Sequence, residues 1–121
     1  MTVLYGIKNC DTVKKARRWL DERGVAYRFH DFRADGLDER QLARWVKQLG
    51  WEALLNRRGT TWRTLPEAQR AKVADAAAAV AAMLAHPSLI KRPVLESGGA
   101  LQVGFTDGDY AALLQNNRKQ Q

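Results

Sequence analysis

Tyr5-Gly6-Ile7-Lys8-Asn9-Cys10-Asp11-Thr12-Val13-Lys14-Lys15-Ala16 decides how this chain reads. The apolar run Val3-Leu4-Tyr5 leads into a turn containing Gly6, and that turn carries the one cysteine of 121 residues. A helical pattern starts at once afterwards, with Val13, Ala16 and Leu20 on one face. A cysteine between a strand end and a helix start is a setting for a reactive thiolate, since free N–H groups and the helix dipole favour the anion. The competing reading is that cysteine is a small apolar residue filling space. Lys8, Asn9, Asp11 and Thr12 surround Cys10 with polar rather than apolar neighbours, and position alone leaves the two readings balanced.

Thr2 to Tyr5 reads as a short buried strand and Asp11 to Arg23 as a helix stopped by Gly24. Val25 to Phe32 alternates as a second strand, and two strands joined by one helix predict a parallel βαβ unit. After the turn Ala34-Asp35-Gly36, Asp38 caps a helix whose capping box Gln41 closes, with Leu37 stapled onto Leu42 and Gly50 as its end. Trp51 to Leu55 is a further helical turn, residues 56–63 a loop, and Leu65-Pro66-Glu67 the start of a short helical piece. Val73 to Ala85 is an alanine-rich helix ended by His86-Pro87. Val94 to Ser97 and Ala100 to Gly104 flank Gly98-Gly99 as a hairpin. Thr106 then caps a last helix with Phe105 packed on Tyr110 and Ala111 to Leu114 completing it, and residues 115–121 read as a disordered polar tail.

The order is β-α-β, a helical insertion at about 37–87, then β-β-α. It predicts an α/β (α+β) single domain over 1–121, of thioredoxin-like plan, with a four-stranded mixed sheet. The size suits one core, and no apolar run reaches the roughly 20 residues of a membrane span. With no signal-peptide pattern and a single cysteine, a cytoplasmic location is expected. The net charge of +7 raises nucleic-acid binding, but the bases are scattered and no nucleic-acid motif accompanies them, so a solvated basic surface is expected. His30 and His86 lack partners at metal-ligand spacing, so no metal is expected. Trp19 and Trp45 read as packing residues on helix faces.

Cys10 at the end of the first strand, Leu54-Leu55-Asn56-Arg57-Arg58-Gly59 in the middle, and His86-Pro87-Ser88-Leu89-Ile90-Lys91-Arg92-Pro93-Val94 late in the chain resemble the arsenate reductase (ArsC) family. Gly6-Ile7-Lys8-Asn9-Cys10-Asp11-Thr12 is similar to the loop of its Spx/YffB branch, and to the YffB type in particular. The resemblance implies that Cys10 is the nucleophile, that Arg92 stabilises its thiolate and bound oxyanions, and that Pro93 is cis and faces the cysteine loop. It implies a further arginine at the site, either Arg57 or Arg58. Two departures shape the expected activity. The position of a third oxyanion-binding arginine in arsenate reductases is taken here by Gly104, and the second cysteine of the Spx-type switch is replaced by Val13.

A free thiol titrates near 8.5, and moving that midpoint down to about 6.5 takes roughly 2.7 kcal/mol of preference for the anion. A helix N-terminus typically supplies about 0.3–1 kcal/mol, so a guanidinium, Arg92 by resemblance, has to supply the rest. Asn9 and Thr12 are candidates to donate to the sulfur or to cap the helix, and Asp11 is expected to face away or to cap. With no second cysteine, a mixed disulfide at Cys10 needs an outside thiol, and glutathione or glutaredoxin is the expected co-substrate or partner, with no bound cofactor. The expected function is therefore a glutathione-dependent monothiol reductase, with Arg57 or Arg58, Pro93, Asn9 and Thr12 around the substrate. The alternatives are glutathione/glutaredoxin-linked arsenate reduction, or an Spx-like regulator that binds RNA polymerase without catalysis.

Overall fold

The structure, a computed structural model, describes residues 1–119, the last four of them by backbone alone. The chain separates into two units, Met1–Asp35 together with the segment from Arg92 onward, and Gly36–Lys91. The first holds β1 (Thr2–Gly6), α1 (Asp11–Glu22), β2 (Arg28–Asp31), β3 (Val94–Ser97), β4 (Ala100–Val103) and a last helix, α7 (Asp107–Lys119). The second holds α2 (Glu39–Leu49), α3 (Trp51–Leu54), α4 (Thr60–Thr64), α5 (Glu67–Lys72), α6 (Ala76–Ala85) and a 3-10 turn at Pro87–Leu89.

The sheet order is β2-β1-β3-β4, with β1 and β2 parallel and the other pairs antiparallel, which is the mixed four-stranded sheet expected. β1 is central and apolar, with Val3, Leu4 and Tyr5 all buried, as a strand flanked on both sides must be. Beneath it Ala16, Trp19 and Leu20 of α1 meet Leu4, Leu95 and Tyr110 in one cluster. Trp19 lies edge-on to Tyr110, with ring centroids 5.8 Å apart, and the Arg23 guanidinium stacks 4.1 Å above the indole. Phe105 sits 4.8 Å from Tyr110 and Thr106 Oγ1 accepts the Asp109 N–H at 3.1 Å, so the staple and cap at the start of α7 form as their residues predict. In the helical unit Leu42, Trp45 and Val46 of α2 are buried together with Leu54, Ala79, Met83 and Leu89.

Several boundaries differ from the sequence reading, each for a local reason. β2 covers only Arg28–Asp31, because Val25 and Tyr27 pack on the core cluster without entering the ladder. The expected loop at 56–63 contains α4, whose first turn closes from the Arg63 N–H to the Gly59 carbonyl. The alanine-rich helix begins at Ala76 rather than Val73, since the Asp75 carboxylate accepts the Ala78 N–H at 2.8 Å and makes Asp75 its N-cap. Asp38 does cap α2, but its carboxylate takes the Arg40 N–H. α7 runs to Lys119, so the disordered tail expected from 115 is corrected over residues 115–119. Gln, Asn, Arg and Lys there include no glycine or proline to stop a capped helix. Residues 120–121 of that expected tail lie outside the described residues.

Two substitutions test this packing. A Cβ at Gly6 would stand 2.7 Å from Val13 Cγ2, and Val13 is fully buried, so Gly6→Ala is expected to cost roughly 1–3 kcal/mol in urea unfolding. An unchanged midpoint would show that α1 retreats freely. The Tyr110 hydroxyl is buried with no hydrogen-bond partner among the described residues, and burial pushes its phenol well above the ordinary value. Tyr110→Phe is expected to be neutral or to stabilise by about 1 kcal/mol, and a clear loss of stability would reveal a partner for the hydroxyl.

Candidate active site around Cys10

The C-terminal end of β1 delivers the chain into the Cys10 turn. Gly6 has no side chain because Val13, one turn into α1, occupies the space a Cβ would need. The Cys10 N–H donates to the Ile7 carbonyl at 3.2 Å and the Cys10 carbonyl accepts the Lys14 N–H at 2.9 Å, so the turn passes straight into the helix. Cys10 is itself the N-cap of α1, with extended backbone angles, and no side chain caps the helix. The thiol therefore stands at the position from which N-cap side chains meet the unpaired N–H groups of the first turn. It is half-buried and free. Asn9, Asp11 and Thr12 are exposed, and none of them caps the helix, as Cys10 takes that place.

The loop is also held from the side. Asp31 closes β2 opposite Gly6, and the Phe32 N–H donates to the Gly6 carbonyl at 2.9 Å. The Lys8 N–H donates to Asp31 Oδ2 at 3.1 Å, while Oδ1 accepts the Arg33 and Ala34 N–H groups at 2.7 and 3.2 Å. Burial works to raise the Asp31 carboxyl, but the Arg33, Ala34 and Lys8 N–H groups, with the Arg33 charge, outweigh it and hold the carboxyl below its ordinary range. The sequence reading did not single out Asp31. Its only local signal is an Asp at a strand end before a polar loop, the pattern of an Asx turn.

Arg92 and Pro93 enter from the other side of β1. β3 pairs antiparallel with β1, Tyr5 opposite Val94, and continuing that register sets Pro93 and Arg92 at the end of β1 where the chain departs for Cys10. The Arg92–Pro93 bond is cis, as the resemblance implies, with Pro93 buried and Arg92 half-buried. The Pro93 carbonyl accepts the Gly104 N–H at 2.8 Å. Gly104, with φ of +79°, thus lies beside the Arg92-Pro93 segment and contributes backbone alone.

Arg57 and Arg58 belong to the helical unit. There the Asn56 N–H donates to the Leu89 carbonyl and the Lys91 N–H to the Leu54 carbonyl, both at 2.7 Å, around an isolated Leu55–Ile90 bridge. This lacing gathers Arg57, Arg58 and Lys91 with Glu52 and Leu55 around an open cavity of about 440 Å³. The sequence offered Arg57 or Arg58 as alternatives, and both line this cavity. Arg57 stacks 5.3 Å from the Trp51 ring, whereas the Arg58 N–H is held by Asn56 Oδ1 at 3.1 Å. Lys91 and Glu52 were missed, because only the bridge brings residue 91 back to 57. Three cations against one carboxylate make this cavity suited to an anion.

Among the described residues no group of three or more His, Cys, Asp or Glu is placed to hold a metal, and no helix is long and apolar enough to cross a membrane. At this end of the sheet a thiol stands at a helix N-terminus, with Arg92 and the buried Pro93 just before β3.

The pattern of the ArsC family matches residues 5–113. Among solved structures, the YFFB (PA3664) protein is 59% identical with a TM-score of 0.88, covering 93% of this chain and 97% of that one. An arsenate reductase (ArsC) related protein from Brucella melitensis is 55% identical with a TM-score of 0.74, covering 93% of each chain. An uncharacterized protein of Haemophilus influenzae is 43% identical over 112 residues, 93% of this chain and 97% of its own. A match across nearly the whole length, on a sheet that sets Cys10 and Arg92-Pro93 at one end, makes this chain a member of the ArsC family, of its YffB type.

Proposed function

We propose that this ArsC-family chain is a glutathione-dependent monothiol reductase. The observation that carries the reading is the placement of Cys10 as the half-buried, unbridged N-cap of a 12-residue helix, in a chain with no second cysteine. A thiolate there attacks a mixed disulfide between a substrate thiol and glutathione. A Cys10–glutathione disulfide forms as the substrate sulfur leaves with the electron pair and takes up a proton. A second glutathione thiolate then attacks the glutathione sulfur of that bond, giving oxidised glutathione and the free Cys10 thiolate. The net reaction consumes one mixed disulfide and one glutathione, and yields one thiol and one glutathione disulfide.

The roles proposed for the other residues rest on their charge and on the family resemblance. Arg92 stabilises the thiolate and the departing sulfur, since a guanidinium stays charged at every relevant pH. Pro93, with no N–H of its own, shapes the wall of the groove beside it. Arg57 and Arg58 offer forked donors to the two carboxylates of glutathione. Asn9 and Thr12, exposed on either side of Cys10, are free to meet the same ligand. Arsenate as the substrate is less well supported, because Gly104 supplies no cation beside Arg92.

Exposure to oxidised glutathione followed by intact mass spectrometry is expected to show one glutathione adduct on wild type and none on Cys10→Ser. Its formation at neutral pH is expected to be about tenfold or more slower in Arg92→Ala. Absence of the adduct in wild type would overturn the reading and leave a binding role, for which polymerase capture independent of Cys10 is the complementary measurement. In steady-state reduction of a glutathionylated peptide, Arg57→Ala and Arg58→Ala are expected to raise KM about tenfold with little change in kcat. Turnover of arsenate that exceeds turnover of the peptide would reverse the substrate assignment.

A further inference from the structure

We propose that Asp31 is a positioning residue for Cys10, whose carboxylate clamps the nucleophile loop to the end of β2. The inference rests on the reductase reading for its purpose, but its geometry stands independently of it.

The two carboxylate oxygens do different work. Oδ1 serves its own segment, taking the Arg33 and Ala34 N–H groups, and the 31–35 turn is closed again by the Asp31 N–H on Asp35 Oδ2 at 2.9 Å and the Asp35 N–H on the Asp31 carbonyl at 2.8 Å. Oδ2 reaches across to the Lys8 N–H. Parallel pairing ends at Gly6–Asp31, and beyond it the Phe32 N–H on the Gly6 carbonyl and Asp31 on Lys8 are the bonds that carry the β1 side forward. Between Lys8 and the helix remain only Asn9 and Cys10, whose N–H returns to Ile7. A loop this short transmits its anchor. With Lys8 fixed, the turn fixes where Cys10 enters α1, and so where its sulfur stands relative to the first-turn N–H groups. Three N–H donors and the Arg33 charge outweigh burial and keep Asp31 ionised, so the clamp holds its charge across the range in which thiols ionise.

A charge acting through space and a clamp acting through geometry predict opposite signs. Removing a carboxylate near a thiol favours the thiolate and speeds alkylation, whereas releasing the loop takes the sulfur off the helix N-terminus and slows it. Asp31→Asn keeps an acceptor for Arg33 and Ala34 but turns the Lys8 acceptor into a donor. Asp31→Ala removes both, and Asp35→Ala disturbs the same turn without touching Lys8.

The experiment is amide hydrogen exchange at Lys8 together with the pH profile of Cys10 alkylation by iodoacetamide, in wild type and the three variants. Faster Lys8 exchange, an alkylation rate at neutral pH about three- to tenfold lower, and a profile displaced to higher pH are expected in Asp31→Asn and Asp31→Ala, with Asp35→Ala close to wild type. Unchanged Lys8 exchange, unchanged or faster alkylation in the Asp31 variants, or an equal loss in Asp35→Ala would overturn the clamp. The wild-type rate against a free cysteine peptide tests the reductase reading separately. A wild type no faster than the peptide removes that reading, while the difference between wild type and the Asp31 variants still decides the clamp.

Discussion

The antiparallel pairing of β1 with β3 is the constraint on which the sheet-bearing unit depends. It joins residues 2–5 to residues 94–97, so some ninety residues of chain are closed into a loop before a single one of these bonds forms. Loop closure on that scale is entropically unfavourable but grows only slowly with length. It is offset here by burial of Leu4, Leu95, Tyr5 and Val94 at the middle of the sheet. The same pairing sets Arg92-Pro93 at the Cys10 end of β1. Core stability and the assembly of the candidate site therefore rest on one register, and a slip by one residue would turn every side chain of β3 to the opposite face.

Around that pairing, tight approach substitutes for bulk. Gly6 lets the last residue of β1 pass against Val13, and α1 can start immediately beyond the turn. The helix then presents its N-terminus, capped by no side chain, at the end of the sheet where the cysteine stands. An ordinary Ser or Asp cap there would have stabilised the helix by roughly 1 kcal/mol, and a cysteine in that position forgoes much of that. Such a loss fits the proposed role, in which the N-terminal N–H groups are kept for a thiolate. The helical unit has its own version of the same economy, with one bridge at Leu55–Ile90 drawing Arg57, Arg58 and Lys91 around an open basic cavity.

Much of the architecture was legible because its signals are local. The Gly98-Gly99 hairpin, the Thr106 cap with its Phe105–Tyr110 staple and the Gly50 stop each depend on residues within a few positions of one another. The errors had local causes too. Val25 and Tyr27 alternate like a strand but spend that alternation on core packing, and Asp75 was read as helix interior although it caps α6. The short α4 was missed because Thr60 to Thr64 carries little apolar periodicity, its formation depending on the Gly59 carbonyl and on Thr61 Oγ1 meeting Ser88 Oγ at 2.7 Å.

By itself the sequence determined that there is one thiol, that it stands between a strand and a helix, and that no internal disulfide can resolve it, because these follow from residue identity and short-range periodicity. The motif order further pointed, through the family resemblance, to the Arg92-Pro93 pair as a partner of Cys10. Only the tertiary structure decided that Cys10 is itself the helix cap, that Asp31 reaches Lys8 in the turn before it, and that Lys91 and Glu52 share a cavity with both Arg57 and Arg58. The cap is set by the local backbone, but the Asp31–Lys8 bond depends on strand register and the shared cavity on the Leu55–Ile90 bridge. No local pattern encodes those two, because their residues meet only once the sheet and the helical unit have each closed.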